Sequence, residues 1–226
     1  MSIHKLFNFT IQIVSMITRN NNKNYLVIVC FLVCWTTIVS QFILIIQNRV
    51  VSIAETLARF FTFFTILTNI IVAITFTVIW LQPKSRINFF LKPNTQTAIA
   101  VYIFVVGFIY NTILRFIWQP QGIQKIIDEM LHLIIPTVYI LYWYFEVKKT
   151  AIIWRNILGW LIYPILYLIV IMIRGTYSNY YPYPFVNVSE LGLVKVAINS
   201  VYLTIFFGTM SVVFVGIAKY ISSNKK

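Results

Sequence analysis

Six long stretches of this chain contain no Asp, Glu, Lys or Arg: residues 24–48, 60–83, 93–114, 130–145, 156–173 and 196–218. A bilayer core is crossed by roughly 20 apolar residues in helix, within a working range of about 17–25. In hydrocarbon, only a helix or a closed barrel satisfies its own backbone donors and acceptors. Five runs meet that length. The fourth, 131–146, spans if Tyr142, Trp143 and Tyr144 sit at the interface. The pattern predicts an all-α polytopic membrane protein with one bundle of six transmembrane helices over residues 25–220. A segment 1–24 precedes it and a tail 221–226 follows it. With 60% hydrophobic and only 10% charged residues, a soluble globular fold is excluded.

The net charge of +13 is a topology signal. With the amino terminus cytoplasmic, inside segments hold twelve basic residues (Lys5, Arg19, Lys23, Lys84, Arg86, Lys92, Lys148, Lys149, Arg155, Lys219, Lys225 and Lys226) against the single acid Glu146. Outside segments hold six basic residues and four acids. The positive-inside bias predicts a multi-pass protein of the cell membrane with both termini cytoplasmic, and nucleic acid is not an expected partner. Residues 6–18 are apolar enough to lie on the inner membrane surface. The first run is too long for a signal-peptide core and is expected to stay as a helix. Cys30 and Cys34, one turn apart inside that run, are expected to pack; neither a staple nor a four-ligand metal site fits them.

Trp118-Gln119-Pro120-Gln121-Gly122 breaks the chain after the third span, and a short amphipathic helix from Ile123 is expected to lead into the fourth. The external connection 175–194 carries Tyr180-Tyr181-Pro182-Tyr183-Pro184-Phe185, which suits a rigid segment at the interface. An aromatic belt and a substrate lid are its two readings. No internal repeat supports an inverted-repeat transporter.

Ionisable groups at membrane depth are costly, and His132 is one of only two histidines in the chain. Applying the topology to each span places Thr62, Thr65, Thr68 and Asn69 in the outer half of the second, and Asn111 and Arg115 near the outer end of the third. Asp128 and His132 fall at the outer start of the fourth, Tyr163, Tyr167 and Arg174 on a stripe of the fifth, and Lys195, Asn199 and Tyr202 at the outer start of the sixth. These residues predict one pocket in the outer leaflet. Each has a structural alternative. Threonines bond the carbonyl one turn back, Arg115 and Arg174 snorkel or offset a helix carboxyl end, and Asp128 and Glu129 cap a helix amino terminus.

The chemistry that fits the set is attack of a hydroxyl on an acyl group. A threonine needs a base to take its proton, and histidine is the usual one. Asp128 would fix the imidazole tautomer, and Arg115 or Asn111 would stabilise the oxyanion. HExxH, GxSxG, a second membrane histidine, a mid-span lysine and a deep carboxylate are all missing, so no metal or other cofactor is expected.

Several segments carry a resemblance. They are Phe60-Phe61-Thr62-Phe63-Phe64-Thr65-Ile66-Leu67-Thr68-Asn69, Tyr110-Asn111-Thr112-Ile113-Leu114-Arg115, the break at 118–122, and Asp128-Glu129-Met130-Leu131-His132-Leu133-Ile134-Ile135-Pro136. Tyr163-Pro164, Ile173-Arg174-Gly175 and Tyr181-Pro182-Tyr183-Pro184-Phe185 follow. In this order, over about residues 25–220, the chain resembles the bacterial Pr-six-Pr integral membrane proteins. That group is similar, more distantly, to the androgen-induced-gene-type membrane proteins of eukaryotes, six-helix threonine hydrolases of fatty acid esters of hydroxy fatty acids that use one Thr and one His. The resemblance implies Thr65 as nucleophile, with Thr68 as the competing register, and His132 as its partner.

Three functions follow as expectations. The first is a hydrolase of lipid esters with Thr65 and His132 catalytic, Asp128, Asn111, Arg115 and Asn69 in support, and Arg174, Tyr163, Tyr167, Asn199 and Tyr202 binding substrate. Its partner would be a membrane lipid or a lipid-like acyl ester. The second is a transporter or sensor holding an anionic head group through Arg115 and Arg174. The third is a structural or partner-binding membrane protein.

Overall fold

The computed structural model describes residues 23–81 and 86–224, so the predicted surface segment 6–18 lies outside the described residues. Every regular element among the described residues is helical. Six helices are long and apolar enough to cross a bilayer, and the chain is a multi-pass membrane protein. We number the helices α1 (Lys23–Gln47), α2 (Ile53–Phe60), α3 (Phe64–Leu81), α4 (Pro93–Ile117), α5 (Gly122–Glu146), α6 (Trp154–Ser178) and α7 (Leu193–Ser223). All but α2 are spans.

Helix α4 is the centre of the bundle. It packs against α3, α5 and α7, and 61% of its most apolar stretch is buried, against 22% for α1 and 17% for α6. Lipid solvates leucine as well as protein does, so close packing holds these helices together. The core runs through Val72, Ala73, Phe76, Ala100, Val101, Ile103, Tyr139 and Trp143. The two cysteines are free and buried in it. On the outer helices, Leu32, Val39, Val170, Ile173, Val201 and Ile205 stay exposed, as lipid-facing positions must.

Two boundaries differ from the sequence reading. The charge-free run 60–83 is not one helix: α2 ends at Phe60, a turn follows, and α3 opens at Phe64. Thr62 therefore lies in the turn and donates to Arg59 O at 2.6 Å, while Thr65 is the second residue of a span. The fourth span is also longer than 131–146. The amphipathic lead-in from Gly122, where φ is +58°, continues into it without a break. Asp128 and Glu129 accordingly stand more than a turn inside α5, and they do not cap its amino terminus.

Where α4 and α5 face each other, each helix widens locally into π-helix, over Tyr110–Leu114 and Met130–Ile134. Such bulges are rare and recur at functional sites. The cause in α5 is Pro136. Having no N–H, it cannot donate to the carbonyls four and five residues back, those of His132 and Leu131, and its ring pushes the nearer one aside. Both carbonyls are satisfied from other helices. Asn111 Nδ2 of α4 donates to His132 O at 3.2 Å, and Asn69 Nδ2 of α3 donates to Leu131 O at 3.3 Å. Each amide also donates one turn back in its own helix, to Gly107 O at 2.7 Å and to Thr65 O at 2.8 Å.

Gly107 makes room for the displaced carbonyl. A Cβ at that position would sit 3.0 Å from His132 O and 3.3 Å from Pro136 Cβ, whereas one on Gly208 would meet nothing within 4 Å. Gly107→Ala is therefore expected to destabilise the detergent-solubilised protein by about 1–3 kcal/mol, the usual cost of overpacking. Gly208→Ala is expected to be neutral or slightly stabilising. Thermal unfolding of the two variants side by side checks this, and equal melting temperatures would refute the close approach.

Candidate functional site

A cavity of about 370 Å³ lies between the carboxyl-terminal ends of α1 and α4 and the amino-terminal ends of α3 and α5, at the low end of volumes that hold small ligands. Thr65, Asp128 and His132 all line it, so three of the expected residues meet on one cavity. Its remaining wall is mostly apolar and aromatic, including Phe60, Phe63 and Tyr110. Trp118 lines it as well and is 54% exposed, which puts the mouth at the carboxyl-terminal end of α4. Pro182, Tyr183 and Pro184 form its roof. The Pro-aromatic segment thus folds inward over the cavity. It is seated there by Tyr181, which packs where any side chain on Gly175 would overlap its ring, and by Asn199 Nδ2, which donates to Phe185 O at 2.8 Å.

His132 lies on the α5 bulge. Its Nδ1 is 2.8 Å from Asp128 O. A carbonyl only accepts, so Nδ1 carries the proton and the lone pair of the neutral ring belongs to Nε2. Asp128 does fix the tautomer, but with its backbone carbonyl. Its carboxylate is turned elsewhere, accepting from Trp118 Nε1 at 2.7 Å and Gln124 Nε2 at 3.1 Å. Gln124 reaches on to Gln41 Oε1 of α1 at 2.8 Å. Tyr110 stacks flat on the imidazole, with ring centres 3.8 Å apart at 7°, and fixes its plane.

Thr65 departs from the usual threonine habit. Thr75, Thr77 and Thr97 donate to the carbonyl one turn back, at 2.8, 2.7 and 2.7 Å. Thr65 Oγ1 instead lies 3.3 Å from Tyr183 Oη, and its N–H donates to the same oxygen at 3.2 Å. The first amides of a helix have no partner within it, so a residue of the roof caps α3 here. Burial pushes the Tyr183 phenol up from its ordinary pKa, which keeps it a neutral donor. Thr65 and His132 make no hydrogen bond to each other among the described residues. Thr68, fully buried, lies 3.3 Å from Tyr163 Oη and does not line the cavity.

The other expected residues occupy separate places. Tyr167 donates to Thr62 O at 2.7 Å and borders a smaller space of about 60 Å³ on the far side of Thr65 and Tyr183. Asn199 and Tyr202 border a third hollow on the lipid side, where Tyr202 is 66% exposed. Arg115 is bound to Glu129 at 2.7 Å and stands 5.3 Å from the Tyr110 ring centre. Arg174 binds Glu55 Oε1 at 2.7 Å, the same oxygen that Arg59 Nε contacts at 2.8 Å, and both guanidiniums lie against Tyr180, at 5.4 and 4.1 Å. Each arginine thus has its own carboxylate, and the two do not share a cluster. Tyr110, Trp118, Gln124 and Tyr183 were missed as cavity residues. The proline-flanked Tyr183 left a trace in the sequence as half of the belt-or-lid alternative, and Trp118 as the first residue of the break at 118–122.

Comparison with protein-family models, curated proteins and solved structures finds no match to this chain.

The Glu55 cluster ties α2 to the carboxyl-terminal end of α6. Hydrogen bonds from Arg59 and Arg174 hold the Glu55 carboxyl below its ordinary range. A depressed carboxyl stabilises the fold above its unfolded pKa, and that contribution is lost as pH falls through the folded value. Melting temperature is expected to fall on acidification from about pH 6 to below about pH 4, the ordinary Glu range. Glu55→Gln should be the less stable protein at pH 6, with the gap to wild type closing in acid. A gap independent of pH would refute the assignment.

Proposed function

We propose that this protein is an integral membrane hydrolase of lipid acyl esters, with Thr65 as nucleophile and His132 as base. One observation carries the proposal: Thr65 and His132, from different helices, line the same apolar cavity, and the His132 ring is held with Nε2 as its basic nitrogen. Histidine at that position takes the Thr65 proton as Oγ1 attacks the acyl carbon. The resulting oxyanion lies near the amino-terminal end of α3, where the helix dipole favours negative charge. Tyr183 Oη marks a place for it, because an acyl oxygen standing there would accept from Thr65 N–H. Collapse breaks the ester bond, and His132 returns the proton to the leaving alcohol. Water, deprotonated by the same imidazole, then attacks the acyl-threonine, and the imidazolium passes that proton to Thr65 Oγ1 as the acid leaves. Asn69 and Asn111 are positioning residues that hold the carbonyls on either side of His132 Cα. The resemblance to the androgen-induced-gene-type hydrolases points to the same pair of residues.

The test is labelling of the purified protein in neutral detergent with a lipophilic fluorophosphonate. Wild type and Thr68→Ala are expected to label, and Thr65→Ala and His132→Ala are expected to fall at least about a hundredfold, the order of a lost general base. Folded wild-type protein that does not label, or labelling that survives Thr65→Ala, would overturn the proposal.

We further propose that the cavity end faces outward from the cell membrane with both termini cytoplasmic, supported by the basic residues concentrated at the opposite end. Green fluorescent protein fused after Lys226 should fluoresce in a bacterial host, and alkaline phosphatase fused there should be inactive. The reverse pair of results would invert the topology.

A further inference from the structure

Asp128 is the unexplained group of the cavity. It is only 5% exposed, lines the cavity, and has no lysine, arginine or histidine in ion-pair contact among the described residues. Its carboxylate meets only neutral donors: the Trp118 indole at 2.7 Å, the Gln124 amide at 3.1 Å and, more weakly, the Tyr110 phenol. A carboxylate has about four acceptor positions, so at least one remains open. Arg115, the nearest candidate for a counter-charge, is committed to Glu129. Two carboxyl groups therefore face one guanidinium, and Asp128 has no cation of its own among the described residues. Lys125 is exposed and does not line the cavity. A buried charge without a partner is costly, and an incoming cation would relieve that cost.

The rest of the wall suits one kind of cation. Phe60, Phe63, Tyr110, Trp118 and Tyr183 line the same cavity. Aromatic faces attract quaternary and tertiary ammonium groups, which have few or no N–H donors and so lose little by leaving water. A small inorganic cation would need several oxygen ligands, and the cavity offers few.

We propose that the cavity binds the alkylammonium group of an amphiphilic ester, with Asp128 as counter-ion and the surrounding rings as its cage. The inference rests on the ester-hydrolase reading for its choice of substrate. It extends that reading from esters in general to esters of cationic amino alcohols, with the ammonium at the Asp128 end and the acyl group toward Thr65.

Binding is measured with a pair of esters that differ only in charge, butyrylcholine and its uncharged isostere 3,3-dimethylbutyl butyrate. The protein is the full chain carrying Thr65→Val in neutral maltoside detergent, so that no turnover intervenes. The charged ester is expected to bind at least about tenfold more tightly, as a desolvated cation–aromatic contact allows. Asp128→Asn should bring the ratio close to one while binding of the neutral ester is retained, which also shows that the variant is folded. If Asp128→Asn does not fold, competition decides in its place: choline is expected to displace butyrylcholine at least about tenfold more effectively than its uncharged isostere 3,3-dimethylbutan-1-ol. Equal affinity for the two esters, or a preference that survives Asp128→Asn, overturns the proposal. A charge preference in a wild-type protein that cleaves no ester would sink the hydrolase reading and leave the ammonium site standing.

Discussion

Pro136 lacks an N–H, and the cavity end of this bundle is arranged around that one missing donor. Inside a bilayer no water is available to take up a carbonyl that a proline leaves unpaired, and each unsatisfied group costs several kcal/mol. Two carbonyls, those of Leu131 and His132, must then be satisfied by neighbouring helices, and two asparagines supply the donors. Those bonds fix the approach of α3 and α4 to α5. Gly107 allows the closest part of that approach. The bulge that results turns the His132 imidazole toward the cavity and places Asp128 O on its Nδ1. Thus the element that bends the helix also sets the tautomer of its histidine.

The second constraint is the open amino-terminal end of α3. Splitting the apolar run at Phe60–Phe64 creates a helix start within the bundle, with amides that need acceptors. Tyr167 takes the hydroxyl donor's part at Thr62 O, and Tyr183 takes the acceptor's part at Thr65 N–H. The roof of the cavity is thereby tied to Thr65. A group entering from the mouth at Trp118 would meet the threonine and the phenol together.

Residue by residue, the cavity cluster was partly legible in the sequence. Topology and helical spacing put Thr65, Asp128 and His132 at similar depth, and depth is what charge bias and apolar length encode. The face of each helix was not encoded in the same way. Asn199 and Tyr202 share that depth but border a different hollow, and Tyr163 pairs with Thr68 away from the cavity. Spans apolar on every side carry little amphipathic signal. For the same reason Thr65 and Thr68, equivalent in composition, separate only once the break before α3 is known. Arg115 and Arg174, which looked like one anion site, are each neutralised by acids remote in sequence or across a loop, Glu129 and Glu55.

By itself the sequence determined that the chain is a helical membrane protein with six spans, since charge-free length is dictated by bilayer thickness and backbone hydrogen bonding. It also determined which residues are able to carry chemistry, because a histidine or a carboxylate is rare in such a background. Only the tertiary structure decided which of them meet. Two π-bulges, an inward-folded roof and the pairing of each arginine with its own carboxylate depend on contacts between distant segments. No local pattern specifies those contacts, because they are settled when helices that are apolar all round choose which neighbour to face.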